Sequence, residues 1–255
     1  MDQKVSLITG ASSGVGYAIA QECASHGYTL ILAARRQDLL EEIARTFERD
    51  YKIRAIPVKT DLTKREDIEH LFRQAEKLGR LDVLVNVAGE FRSISFVDSS
   101  LHNFISVYDQ TTELMQHAVM YASKRALRLL QKTKGIIINI SSDAGLEKKV
   151  YPAQVPYHTS KAAVNHMTRA MDLELKEHGM RAFALAPGNI DTPLLRKAIE
   201  ENKELVKLIQ NKEGSLDSFY SKILRPQDIA RKVIDIINNP SQYTEPVIEI
   251  PSYEF

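Results

Sequence analysis

The chain has 255 residues, 44% of them hydrophobic, and its 34 basic and 33 acidic residues leave a formal net charge of +1. That is enough apolar material for a sizeable core, and a balance that offers nucleic acid or an anionic membrane no electrostatic attraction. Cys23 has no second cysteine to pair with, no stretch approaches about eighteen uncharged apolar residues, and no signal-like pattern precedes the first strand, so a cytoplasmic protein is expected.

Short β-branched runs alternate with longer helical patterns. Residues 5–9, 29–33, 53–59, 81–85, 135–141, 181–186 and 246–250 read as seven strands. Most are apolar throughout, which suits a parallel sheet covered on both faces. Residues 15–25, 39–49, 65–78, 104–131 and 162–178 read as helices. This cadence predicts right-handed crossovers and an α/β fold, a doubly wound parallel seven-stranded sheet with helices on both faces. In the charged stretch 196–213, Ile199, Leu205, Leu208 and Ile209 keep roughly helical spacing, which predicts a mobile amphipathic helix pair. No repeat, low-complexity tract or Pro/Gly linker divides the chain, so one domain over 1–255 is expected.

The first strand runs into Thr9-Gly10-Ala11-Ser12-Ser13-Gly14-Val15-Gly16 and at once into a helical pattern. Glycine is required where the backbone takes positive φ or approaches a ligand closely. A helix N-terminus behind such a turn offers free N–H groups and a positive dipole end to a pyrophosphate. A turn without a ligand could use the same residues, but its place after the first strand of a βαβ series points to a dinucleotide. The second strand ends in Ala34-Arg35-Arg36, where NAD-preferring sites carry an acidic side chain for the ribose 2′-hydroxyl. A guanidinium there presents a planar donor fork to a phosphate; two solvated arginines opening a helix are the alternative.

Ser141-Ser142 ends the fifth strand, and fifteen residues later comes Tyr157-His158-Thr159-Ser160-Lys161. Tyrosine and lysine four apart share one helix face, so the ammonium is expected to lower the phenol from its usual value of about 10. The phenol could then exchange a proton with an alcohol or carbonyl oxygen, held by a serine hydroxyl. Adjacent strand residues face opposite ways, so only one of the two serines can serve, the other being a strand-end hydroxyl satisfied by backbone.

The TGxxxGxG turn, Ser142 and YxxxK together resemble the short-chain dehydrogenase/reductase family, from Thr9 to about Ile250. The resemblance implies a Rossmann-type fold and an NADP(H)-dependent oxidoreductase moving a hydride between nicotinamide and a secondary alcohol or carbonyl. Tyr157 would be the general acid/base, Ser142 would position the substrate oxygen, and Lys161 would tune Tyr157 and bond the nicotinamide ribose. The cofactor would lie against Gly10, Ser12, Ser13, Gly14, Val15 and Gly16, with Arg35 on the 2′-phosphate and Arg36 assisting or pointing to water. Asp61 and Leu62 would flank the adenine, although Asp61 also suits a helix N-cap. Asn86-Val87-Ala88-Gly89 resembles the family's NNAG element, with Val87 in place of the second asparagine; Asn86, Ala88 and Gly89 would lie along the cofactor. Pro187, Gly188, Ile190 and Thr192 would surround the carboxamide, although Thr192 before Pro193 could instead start a helix.

The family's further asparagine, which supports a proton relay to the lysine, is missing from the long fourth helix. Counting from Gly89 reaches Thr111 and counting back from Ser142 reaches Met115, about one helical turn apart; Gln110 is the nearest amide. The tail VIEIPSYEF also lacks a diglycine that many relatives carry. A segment from about 193 to 224 should cover a small-molecule substrate. The resemblance further implies a homodimer or homotetramer joined through residues 104–131 and the Tyr157 helix. Val119, Leu127, Val164 and Met167 would serve that contact or lie buried within one chain. The other functional class is a non-catalytic dinucleotide sensor with an impaired relay. A nucleotide-sugar epimerase is disfavoured by length. His158, His166 and His178 show no metal-site spacing, and Tyr17, Tyr108 and Tyr121 lack the basic interleaving of a nucleic-acid surface.

Overall fold

In β1 (Val5–Thr9), Val5 and Leu7 pack into one apolar cluster and Ile8 into another. The same alternation divides β2 (Thr29–Ala34), with Leu30 and Leu32 on one side and Ile31 and Ala33 on the other. Successive strand side chains point to opposite faces, so strands that carry apolar residues toward both need cover on both. The protein, a computed structural model describing residues 3–147, 150–201 and 203–252, supplies that cover.

Together with β3 (Ala55–Lys59), β4 (Val83–Asn86), β5 (Ile136–Ile140), β6 (Arg181–Pro187) and β7 (Val247–Ile250), these strands form one parallel sheet in the order β3-β2-β1-β4-β5-β6-β7. One face is covered by α1 (Gly14–Ser25) and α2 (Gln37–Tyr51), joined from the chain's far end by Pro226–Asn238. The other is covered by α3 (Arg65–Leu78), by the segment Leu101–Thr133 and by the helix Val155–Lys176. This is a doubly wound Rossmann-type sheet. Its strand order reverses between β1 and β4, which opens a crevice at their carboxyl ends.

Most ends shift by one or two residues, and two helices differ by more. The helix expected over 104–131 is two, α4 (Leu101–Thr112) and α5 (Ala118–Thr133), joined by a π-helical turn at Glu113–His117. The helix expected from 162 is α6, which already begins at Val155. Pro156 sits in its first turn, where the missing N–H has no intrahelical acceptor to lose. The charged stretch 196–213 forms the expected pair of helices, α7 (Pro193–Glu201) and α8 (Lys203–Glu213), and a third, α9 (Leu216–Lys222), follows beyond it. Gly214 at φ +75° ends α8, and the Ser215 hydroxyl caps α9 by accepting from Ser218 N at 3.1 Å. Ile199, Ile209, Phe219 and Ile223 give this segment its own small core. The side chains of Leu205 and Leu208 lie outside the described residues. The helix Pro226–Asn238 is α10.

A buried ion pair fastens α6 to β6. Asp172, its side chain 1% exposed, accepts from Arg181 Nε at 2.8 Å, Lys176 Nζ at 2.8 Å and the Ala182 amide at 2.9 Å. Burial alone would raise its carboxyl, but the hydrogen bonds from Arg181, Lys176 and Ala182 outweigh it and hold the group below the usual carboxylate range. A carboxyl lower in the folded than in the unfolded chain stabilises above about pH 3.9, and that contribution is lost as pH falls through the depressed value. Asp172→Ala leaves a half-buried guanidinium without its counter-charge. It should cost about 3 kcal/mol, read as a lower urea midpoint at unchanged slope, and should flatten the acid limb of the stability profile.

Candidate active site

Thr9, at the end of β1, ties the two strands of the crevice together. Its hydroxyl accepts from the Val87 amide at 2.9 Å and the Ala88 amide at 3.3 Å, while donating to Val85 O at 3.4 Å. Gly10 follows at φ +66°, and a methyl there would sit 3.1 Å from the Ala88 backbone. A methyl on Gly16 would lie 2.3 Å from the Gly10 carbonyl oxygen, so the turn closes only with glycine at that position. Ser13 stands at the N-cap of α1 without a capping side-chain bond, leaving the first-turn N–H groups open.

These N–H groups face a cavity of about 1330 Å³ that runs past the ends of the strands. Gly10, Ser12, Ser13, Gly14, Val15 and Gly16 line it, as do Arg35, Arg36, Asp61, Leu62, Ala88 and Gly89. Ser142, Tyr157, Lys161, Pro187, Gly188, Ile190 and Thr192 complete that wall. Asn86 is the exception. It is buried, and its amide donates to Asn139 Oδ1 at 2.8 Å and Ser123 Oγ at 3.2 Å, in a network continued by Asn139 to Thr168 at 2.9 Å. Its side chain therefore braces β4 against β5, and it does not line the cavity.

Arg36 is exposed, yet it is engaged with the glycine turn. Its guanidinium donates to Ser12 Oγ at 3.0 Å and Ser13 Oγ at 3.1 Å, bracing the glycine turn. Arg35 is exposed at the rim. Asp61 is not a helix cap, since the N-cap residue of α3 is Lys64; its carboxylate accepts from the Thr63 hydroxyl at 2.7 Å and amide at 3.1 Å. Burial would raise that carboxyl, but the Thr63 bonds, with Lys64 and Arg35 nearby, bring it below its ordinary value.

Ser141 donates to the Lys161 carbonyl at 3.2 Å, a strand-end hydroxyl satisfied by backbone. The Ser142 hydroxyl lines the cavity, donating to Asp143 Oδ1 at 3.2 Å and accepting from the Ala144 amide at 3.2 Å, and lies near enough to the Tyr157 phenol to favour its ionised form. Lys161 is buried, its Nζ donating to Ile140 O at 3.0 Å and lying 5.7 Å from the Tyr157 ring centroid. Gly145 lets the turn after Ser142 lie against the α6 backbone, since a methyl there would come within 2.5 Å of Lys161 C. The expected lowering of the phenol is not found. Burial pushes Tyr157 above its ordinary value, the Ser142 hydroxyl offsets part of the rise, and Asp143 adds to it. Burial also drives Lys161 down to about 8.

Of the two positions reached by counting along the long helix, Thr111 lies in α4 before the π turn and Met115 within it. Met115, within the turn, is buried beside the lysine: a methyl on Gly89 would lie 3.8 Å from Met115 Cε and 3.9 Å from Lys161 Nζ. Gln110 is instead engaged with Arg92, accepting at 2.6 Å. Thr192 lines the cavity and also starts α7, its hydroxyl accepting from Leu195 N at 3.3 Å. Leu194, Leu195, Ala198, Ile209 and Phe219 form the wall contributed by the three short helices. Sequence reasoning missed Phe91, whose ring meets Tyr157 edge-on at 5.2 Å; a lone phenylalanine in a loop carries no signal. Among the described residues no group of three or more His, Cys, Asp or Glu could hold a metal ion, and no helix is long and apolar enough to cross a membrane.

Residues 4–203 match the short chain dehydrogenase family. An uncharacterized oxidoreductase of Staphylococcus saprophyticus is 30% identical over 243 residues, covering 94% of both chains. One of Staphylococcus aureus is 29% identical over 242 residues, covering 94% of this chain and 93% of its own. Among solved structures, an alcohol dehydrogenase of Thermococcus sibiricus complexed with 5-hydroxy-NADP superposes with a TM-score of 0.82 at 26% identity, covering 100% of this chain and 99% of that one. A 7α-hydroxysteroid dehydrogenase complexed with NADH and 7-oxo glycochenodeoxycholic acid gives 0.84 at 25% identity, covering 98% and 93%.

Proposed function

The chain belongs to the short-chain dehydrogenase/reductase family of oxidoreductases, and we propose that it is NADP(H)-dependent and interconverts a secondary alcohol with its carbonyl. The observation that carries this reading is that Ser142, Tyr157 and Lys161 stand together on the wall of the cavity that the glycine turn also lines, with the Lys161 ammonium 5.7 Å from the Tyr157 ring centroid. The cavity fits the cofactor: the glycine turn leaves room for a pyrophosphate at the open N-terminus of α1, and Arg35 stands at the rim where a 2′-phosphate would lie. When bound, the dihydronicotinamide supplies the hydride. Ser142 holds the carbonyl oxygen, and Tyr157 gives that oxygen its proton as the carbon is reduced. A phenol held above its ordinary value keeps its proton at neutral pH, as an acid in reduction must. Lys161 would bond the nicotinamide ribose, and Ile190 with Thr192 would orient the carboxamide. The segment 193–224 covers the substrate.

The relative solved with 5-hydroxy-NADP supports the choice of cofactor; the one solved with NADH makes Arg35 the deciding residue here. Arg35→Asp should weaken NADPH binding about tenfold to a hundredfold, the equivalent of about 1.5–3 kcal/mol for a charge-assisted contact, and should affect NADH far less. Fluorescence titration checks this, and equal affinity of the unaltered protein for both cofactors would remove the assignment. Met115 beside Lys161 offers no amide, and this favours the second reading, a dinucleotide sensor without turnover; the two part on whether a carbonyl is reduced.

Of the four residues weighed for the subunit contact, Val119 and Val164 are core and Leu127 and Met167 are half-buried. Leu101 and Ile105 on α4, Met120 on α5 and Leu173 on α6 are exposed, and we assign the homodimer or homotetramer contact to these faces. Light scattering should report at least two subunits at micromolar concentration; a single-subunit mass contradicts it. Cys23, buried and pushed up to about 12, is an inert thiol compatible with a cytoplasmic location.

A further inference from the structure

His158, the residue after the proposed acid, is bonded through both ring nitrogens. Nδ1 lies 2.5 Å from the Ala144 carbonyl, and Nε2 accepts the Tyr151 amide at 3.0 Å. An acceptor nitrogen carries no proton, so the ring is neutral with its hydrogen on Nδ1. The two backbone groups belong to residues that both line the cavity, on separate segments of the chain. Ala144 lies in the turn Asp143–Gly145, and its own amide donates to Ser142 Oγ at 3.2 Å. Tyr151 begins the wall continued by Pro152, Ala153 and Gln154, and its ring stacks on His158 with centroids 6.0 Å apart. The Ala153 carbonyl, from a residue at φ +57°, is in turn gripped by Ser93 Oγ at 3.1 Å and Ile94 N at 2.8 Å. The far end of the turn has its own anchor, since Asn165 Nδ2 donates to the Gly145 carbonyl at 3.1 Å. Residues 158, 161 and 165 share one face of α6, and the turn is laid along that face.

We propose that His158 is a positioning residue that clamps the Ser142 turn with one nitrogen and the Tyr151 wall with the other. Its two arms therefore serve different stages: the Ala144 arm holds Ser142 at the reacting oxygen, and the Tyr151 arm closes the wall against the substrate. The consequence for turnover rests on the oxidoreductase reading above, whereas the clamp itself does not.

The two arms can be cut separately. In His158→Asn the side-chain NH2 stands near the place of Nδ1 and keeps the Ala144 bond, but nothing reaches Tyr151. In His158→Gln the amide oxygen reaches the place of Nε2 and keeps the Tyr151 bond, but the Ala144 bond is lost. With NADPH and acetophenone as the probe, His158→Asn should raise KM about fivefold with kcat nearly unchanged. His158→Gln should lower kcat about fivefold with KM nearly unchanged, each the effect of one hydrogen bond. His158→Phe, which retains the stacking, should show both effects, and NADPH affinity should hold in all three. If Asn and Gln behave alike, or NADPH affinity falls with turnover, the two-armed clamp is wrong. Should the unaltered protein reduce no carbonyl, the functional reading falls while the clamp is still decided by 15N spectra of the full chain. A protonated Nδ1, an unprotonated Nε2, and a Tyr151 amide whose exchange quickens in His158→Asn but not in His158→Gln uphold it; a ring protonated on Nε2 overturns it.

Discussion

Tyr157→Phe is expected to lower turnover by about 10²–10⁴, the usual worth of a positioned proton donor, with folding and NADPH binding intact. The ring is retained, so its edge-on contact with Phe91 and its place over Lys161 survive. What disappears is the hydroxyl beside Ser142. Ser142→Ala should also lower turnover while leaving NADPH affinity nearly unchanged, because its partner is the substrate oxygen. The double variant should lose less than the product of the two single losses, since both hydroxyls act on one oxygen in one transition state. Losses that multiply would assign the two groups to separate steps.

Lys161→Met should reduce both turnover and NADPH affinity, as one ammonium is asked to serve the phenol and the ribose. The fold should tolerate it. Lys161 is buried, with the Ile140 carbonyl as its hydrogen-bond acceptor, and burial takes it from 10.5 to about 8. Between those values the unfolded chain holds a proton that the folded chain has lost, so the cost of burying the charge is present below about pH 8 and is relieved as pH rises through that value. Removing the ammonium should leave stability at pH 7 equal or higher while activity collapses, measured as urea midpoint against kcat. A variant that loses stability in step with activity would make Lys161 structural.

The sheet was legible because its strands carry apolar residues toward both faces, and only a layer covered on both sides tolerates that. The glycine turn was legible because Gly10 takes a positive φ and Gly16 meets backbone at a distance no side chain allows. Local pattern says less about direction. Asn86 sits in a motif that runs along the cavity, yet it turns toward Ser123 and Asn139, a choice made by partners 37 and 53 residues away. The tyrosine's rise has the same origin, since spacing placed Lys161 nearby but burial decides which way the phenol moves. The π turn at Glu113–His117 leaves no mark in the hydrophobic period, and it brings Met115 beside the lysine. His158 read as a scattered helix residue because both its partners are backbone groups, which a sequence does not distinguish.

The central claim is that this cavity moves a hydride from NADPH to a carbonyl carbon. NADPH carrying deuterium at the transferable C4 position, incubated with the protein and a panel of ketones, tests it by mass spectrometry of the alcohol formed. The account predicts one deuterium on the carbinol carbon for each NADPH oxidised, and none above background with Tyr157→Phe over the same interval. NADPH that binds but reduces no ketone, or is consumed while the alcohol carries no label, would contradict it.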